Sequence, residues 1–167
     1  MSKYLILLIV ILIFAWYLSF SAARLDRLHH RVETSWEHLD ALLQRRAGLA
    51  LEISHTSDLD PALNLILTAS AYESREAPIA DRSEAESALS ESLKILREAA
   101  NAGELEMALP LLDRLSDITE KIRFAIAMHV EAISAVANVR SKVIFRVFRL
   151  AGRARLPFRY SFENDEL

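Results

Sequence analysis

The sequence contains no cysteine, only three glycines and four prolines, and no excess of positive charge. Without cysteine there can be neither a disulfide framework nor a thiolate metal site, and cysteine usage says nothing about the redox compartment. With so few glycines no backbone cradle for phosphate can form, and no nucleotide-loop or nucleophile-elbow motif occurs. A net charge of −3 gives no counterion-displacing excess, so no nucleic-acid partner is expected. Few chain breakers imply few tight turns. Together with abundant Ala, Leu, Glu and Arg, that predicts long helices in an all-α chain. At 167 residues the chain is about one domain long, enough for a real core.

Chemistry-bearing residues are equally sparse. The five histidines are His29, His30, His38, His55 and His129, and none sits in H-E-x-x-H. Glu52 and His55 stand three apart at the end of a helix, but a di-iron bundle needs a second such pair. The serines between Ser83 and Ser92 lie among acids, without a base to activate a nucleophile. No metal, no cofactor and no enzymatic activity are therefore expected.

What the sequence does have is one long apolar run. Tyr4 to Phe20 carries no charge, glycine or proline, and extends through Ala23. Twenty helical residues reach about 30 Å, the thickness of a bilayer's hydrocarbon core. Trp16 and Tyr17 stand toward one end, where amphipathic rings favour the interface. Ser21 and Ala23 could mark signal-peptide cleavage, but the run exceeds a usual signal core and only Lys3 precedes it. The expectation is an uncleaved single-pass anchor over residues 1–23. Arg24, Arg27 and Arg31 follow the span, against Lys3 before it, which places the remainder on the cytoplasmic side.

Beyond Arg24 a seven-residue rhythm begins. Leu25, Val32, Leu39 and Ile53 share one position, Leu28, Leu42 and Leu49 its partner, and Trp36 and Leu43 widen the stripe. No breaker separates this coiled-coil-like stripe from the span, so one continuous helix is predicted from Tyr4 to about Ser54. Asp60-Pro61 opens a second helix, to about Glu76. Ser83 with Glu86 reads as a capping box opening a third, to about Asn101. A fourth runs from near Glu104, through Pro110, to about Leu150. Four helices with short connections predict an antiparallel up-down bundle over 24–150, followed by a tail over 151–167.

The topology returns helix 4 toward the membrane, and its end is distinctive. Arg140, Lys142, Arg146, Arg149, Arg153, Arg155 and Arg159 occur there without an acid, interleaved with Phe145, Phe148 and Phe158. This pattern suits contact with anionic lipid headgroups, and a solvated basic bundle face is the alternative.

In helix 1, Val32-x-x-x-Trp36-x-x-Leu39-Asp40-x-x-Leu43-x-Arg45-Arg46 directly follows the membrane helix, and this pattern resembles the LemA family. Looser matches are Glu86-x-x-Leu89-Ser90-x-x-Leu93, Ile122-x-Phe124-Ala125, and Ala151 to Glu163, so the resemblance spans nearly the whole chain. The chain departs from the family pattern at Leu51-Glu52, Arg146 and Arg155-Leu156, as a divergent member would. The resemblance implies a bacterial membrane protein with an N-terminally anchored helical bundle and no established reaction.

Candidate binding residues are Trp36, Asp40, Arg45 and Arg46. Trp36 reads most simply as core, and Asp40 and Arg45 as helix-face charges. Arg46 continues the Leu25, Val32, Leu39 series, so its stem must lie against other helices and its guanidinium needs a carboxylate partner. A register-setting salt bridge is the simpler expectation and a ligand site the sharper one. The functional expectation is a membrane-anchored interaction or scaffold protein with an unidentified protein partner. The alternative is a small-ligand-binding accessory or sensor subunit of a membrane complex.

Overall fold

The computed structural model describes residues 2–56, 59–102 and 109–140. They form four α-helices, α1 (Ser2–Thr56), α2 (Pro61–Glu76), α3 (Arg82–Asn101) and α4 (Leu109–Arg140), with no strand among the described residues. The basic positions Lys142, Arg146, Arg149, Arg153, Arg155 and Arg159 lie outside the described residues, as does the stretch from Glu104 where helix 4 is expected to begin.

α1 is a single 55-residue helix, as an apolar span running without a breaker into an amphipathic stripe requires. Its first turns bury almost nothing. Every large apolar residue from Tyr4 to Phe14 is exposed, and the rings of Trp16 and Phe20 stack one turn apart with centroids 6.3 Å apart. Among the described residues two helices, α1 and α4, are long and apolar enough to cross a membrane. They differ in where their apolar side chains go. In α4, Leu115, Ile118, Ile122 and Val136 are buried in protein, as in a core helix, whereas the start of α1 presents its side chains outward.

α2 begins where its residue types place it. The Asp60 carboxylate accepts from the backbone N–H groups of Ala62 (2.9 Å) and Leu63 (3.3 Å), and Pro61 occupies the first turn, where its missing N–H costs nothing. The Asn64 amide donates to the Ser54 carbonyl at 2.9 Å, tying the start of α2 to the end of α1.

The expected capping box at α3 does not form. The helix starts at Arg82 behind Asp81, and Glu86 is buried instead of reaching back to Ser83. A carboxylate claimed by a buried guanidinium is not available to an exposed helix start.

The chain divides into two compact units. One spans Trp36–Met128, and the other joins Met1–Ser35 with α4 from His129 onward. The core of the first gathers Leu39, Leu43 and Ile53 of α1, Leu67 of α2, Leu89 and Leu96 of α3, and Leu115 and Ile122 of α4. Leu43 is fully buried while its neighbour Leu42 is only half-buried, and Ala47 and Ala50 join the core. A straight helix of 3.6 residues per turn drifts about 20° per heptad, which carries the buried face from the strict seven-residue series toward Leu43, Ala47 and Ala50. Trp36 is half-buried and packs on the edge of this core rather than inside it.

The second unit has a smaller core of Leu25 and Val32 of α1 with Ala132, Val136 and Val139 of α4. Its polar element is His129, which is 3% exposed. The Ser35 hydroxyl has one hydrogen, and it donates to the Val32 carbonyl at 2.8 Å. Ser35 Oγ and His129 Nδ1 are also hydrogen-bonded to each other at 2.8 Å. Arg31 and Glu131 make an exposed ion pair at 3.4 Å in the same unit.

Burial lowers the His129 pKa below its ordinary 6.5 by penalising the charged ring. The unfolded chain then binds the proton more readily than the folded one. Stability is present above pH 6.5 and falls as the pH drops through that value toward the folded pKa. Melting curves of the full chain in detergent between pH 7.5 and about 5 should show a falling Tm, and His129→Gln should flatten that slope. A His129→Gln slope as steep as wild type would assign the effect to other groups.

Candidate functional site

The polar residues that share a location are those that interrupt apolar stripes. On α1, Arg46 stands between Leu39 and Ile53, all three fully buried. On α2, Ser74 continues the face of Leu63, Leu67 and Ala71. On α3, Arg82 and Glu86 precede Leu89, Leu93 and Leu96 on one face. Helical periodicity makes each of these positions inward, so packing three helices around one core brings four polar side chains together.

They form one connected chain of bonds. Arg46 Nη2 donates to Glu86 Oε2 at 2.5 Å, with both side chains 1% exposed, and also reaches the Glu86 backbone carbonyl at 3.4 Å. The other oxygen, Glu86 Oε1, accepts from the Ser74 hydroxyl at 2.6 Å. Arg82 Nη1 donates to the Ser74 carbonyl, and Arg82 Nη2 donates to Asp40 Oδ1 at 2.7 Å. The chain runs Asp40, Arg82, Ser74, Glu86, Arg46 and crosses α1, α2 and α3. Its two cations face two carboxylates, so the network is close to electroneutral without an outside ion. Arg46 Nε and Arg82 Nε are the buried donors in it without a partner among the described residues.

The sequence candidates are thereby separated. Asp40 and Arg46 enter the network from the same helix, though they are not bonded to each other. Asp40 is paired and half-buried rather than a freely solvated charge, and Arg45 is exposed on the other side of α1. Trp36 lies at the core edge, away from the network's bonds. Glu86, Arg82 and Ser74 are the residues sequence reasoning did not place there. Their signal is visible in retrospect: Glu86 is three residues before Leu89 and ten before Leu96, at a core-facing interval.

No protein-family model matches this chain, and searches of curated proteins and of solved structures found no match either.

The chemistry of the Arg46–Glu86 network is structural in kind. An arginine at 1% exposure, bonded to a carboxylate that is itself bonded to a serine, offers no solvent-reachable face to a ligand. What it does supply is a geometric condition, because Arg46 can be satisfied only when α3 stands in one register against α1. A separate shallow hollow at the α2–α3 corner is lined by Glu73, Glu76, Asp81 and Glu84. No group of three or more acids or histidines converges as metal ligands among the described residues.

Proposed function

We propose that the chain is a single-pass, membrane-anchored interaction or scaffold protein of the LemA type, with the span at 4–23 and an up-down four-helix bundle on the cytoplasmic side. The observation that carries this reading is the character of α1. From Tyr4 to Ala23 it is uncharged with nearly all its large apolar side chains exposed, and it continues unbroken into a stretch whose inward face is packed in protein. Water does not tolerate such a surface, and lipid does. The Trp36-to-Arg46 pattern supports the family reading, since the helix carrying it is the one that leaves the proposed membrane segment.

Within this reading the basic residues from Arg140 to Arg159 contact anionic headgroups, and the bundle surface receives a protein partner. The ligand-binding alternative has less support, because Arg46, the residue that would recognise an anion between helices, already holds Glu86. The deciding experiment is a reporter fused after Leu167 in intact cells, combined with alkaline extraction of membranes. The expected result is a cytoplasmically active fusion that resists extraction. A fusion active only outside, or a chain whose mature N-terminus is Arg24, overturns the anchored reading. Vesicles of anionic lipid should bind the chain more tightly than zwitterionic ones, with salt weakening the difference. Equal binding to both would remove the headgroup contact.

A further inference from the structure

We infer that the outer face of α2 is a pairing surface for a second copy of this chain. Residues 61–72 contain no charged residue. The inward face of this stretch, Leu63, Leu67 and Ala71, is spent on the core. The opposite face is also apolar. Ala62, Leu65, Ala69 and Tyr72 are exposed, Leu65 to 71%. The neighbouring helix α3 shows what an ordinary solvated face looks like in this protein, with Glu84, Glu91, Lys94, Arg97 and Glu98 exposed. A helix apolar on both faces is a helix buried on both faces in its working state.

The spacing identifies the occupant. Ala62, Leu65, Ala69, Tyr72 and Glu76 follow the alternating three- and four-residue steps of a coiled-coil seam, with Ala62, Ala69 and the terminal Glu76 at one core position and Leu65 and Tyr72 at the other. Such a seam is complementary to itself in a two-fold pair, where alanines let the backbones approach and Leu65 and Tyr72 fill the layers between. Charge points the same way. In a parallel, in-register pair the last layer sets Glu76 opposite the partner's Glu76, and Arg75 of each copy, which borders the other's Glu76, neutralises the two carboxylates. Both residues are exposed and available for it. An anionic bilayer is the poorer occupant, since the apolar stretch carries no cation and ends on Glu73, Arg75 and Glu76, a net negative charge. The parallel direction rests on the anchored reading above, because two chains inserted in one bilayer share the direction of their helices. A seam of two heptads is small for a stable interface, and co-anchoring supplies the effective concentration that makes it form.

The absence of cysteine makes the test direct. Ala62→Cys, Ala69→Cys and, on the outer face of α3, Ala88→Cys are each introduced singly into the full chain, and membranes are treated with a mild oxidant. Covalent dimers at A62C and A69C, with none at A88C, are expected. Arg75→Glu should abolish the A69C dimer, and adding Glu76→Arg should restore it. No dimer at either seam position overturns the proposal, as does equal dimer at A88C, which reports random collision. Dimer at A69C without A62C overturns the parallel register. Pelleting of the same samples keeps the two readings apart: a chain found outside the membrane fraction fails the anchor, whereas a pelleted chain without cross-links fails the pairing.

Discussion

Replacing Glu86 with alanine is expected to cost the fold about 3–5 kcal/mol, as removal of one partner from a buried ion pair does. The cost does not measure how strongly Glu86 and Arg46 attract. It arises because Arg46 stays behind, 1% exposed, with its charge uncompensated, and because the Ser74 hydroxyl loses its acceptor. Against a total stability of about 5–15 kcal/mol, one such loss leaves the Trp36–Met128 unit marginal or unfolded. Removing both charges together has the opposite sign. Arg46→Met with Glu86→Leu, made in a Ser74→Ala background so that no buried hydroxyl loses its acceptor, should be neutral or stabilising by about 1–4 kcal/mol, since apolar side chains of similar volume need no desolvation. Denaturant titration of the full chain in detergent, run as a double-mutant cycle, measures both quantities. Glu86→Ala with wild-type stability would mean that the pair is not buried in solution. The outer arm is weaker: Asp40 is one-third exposed and an amide keeps an oxygen that accepts from Arg82 Nη2, so Asp40→Asn should cost less than Glu86→Ala.

The second large effect concerns the span. Replacing Leu8 and Leu12 with arginine is expected to abolish membrane insertion. Twelve Leu, Ile, Val and Phe residues lie between Tyr4 and Ala23. At about −0.3 to −0.6 kcal/mol each near the helix centre, they favour insertion by roughly 4–7 kcal/mol. Two central arginines oppose it by about 5–7 kcal/mol, before the two lost leucines are counted. The terms cancel, and the segment no longer partitions. The readout is the share of chain extracted from membranes at alkaline pH, which should rise from little to most of it. Retention of the doubly substituted chain would show that something other than the 4–23 helix holds the protein at the membrane. α4, the other helix long and apolar enough to cross, would then be the segment to test.

Much of the architecture was legible in residue order because it depends on local physics. α2 occupies the interval its Asp60-Pro61 start and its stop before Pro78 delimit. α1 is continuous because no proline lies between Lys3 and Ser54, and the one glycine there, Gly48, costs a helix interior only about 1 kcal/mol. The inward position of Arg46, and its need for an acid, followed from its place in a seven-residue series, and the acid is there. Which acid it is could not be read locally. Glu86 satisfies two patterns at once, three residues after a serine and three before a core leucine, and the nearer pattern suggested a cap. The choice was made by Arg46, forty residues away in the chain, whose buried charge outweighs an exposed helix start.

Composition and periodicity therefore settled that the described residues are helical, that the first helix is long and apolar enough to cross a membrane, and which faces turn inward. These outcomes follow from the chain's own spacing and from the free energy of removing apolar surface from water, both of which are read residue by residue. Tertiary packing decided the partners: Glu86 for Arg46, Asp40 for Arg82, Ser35 for His129, and a core-edge rather than core place for Trp36. A hydrogen bond is directional and short, so it depends on how helices distant in sequence are registered against one another, and that register exists only once the core has closed.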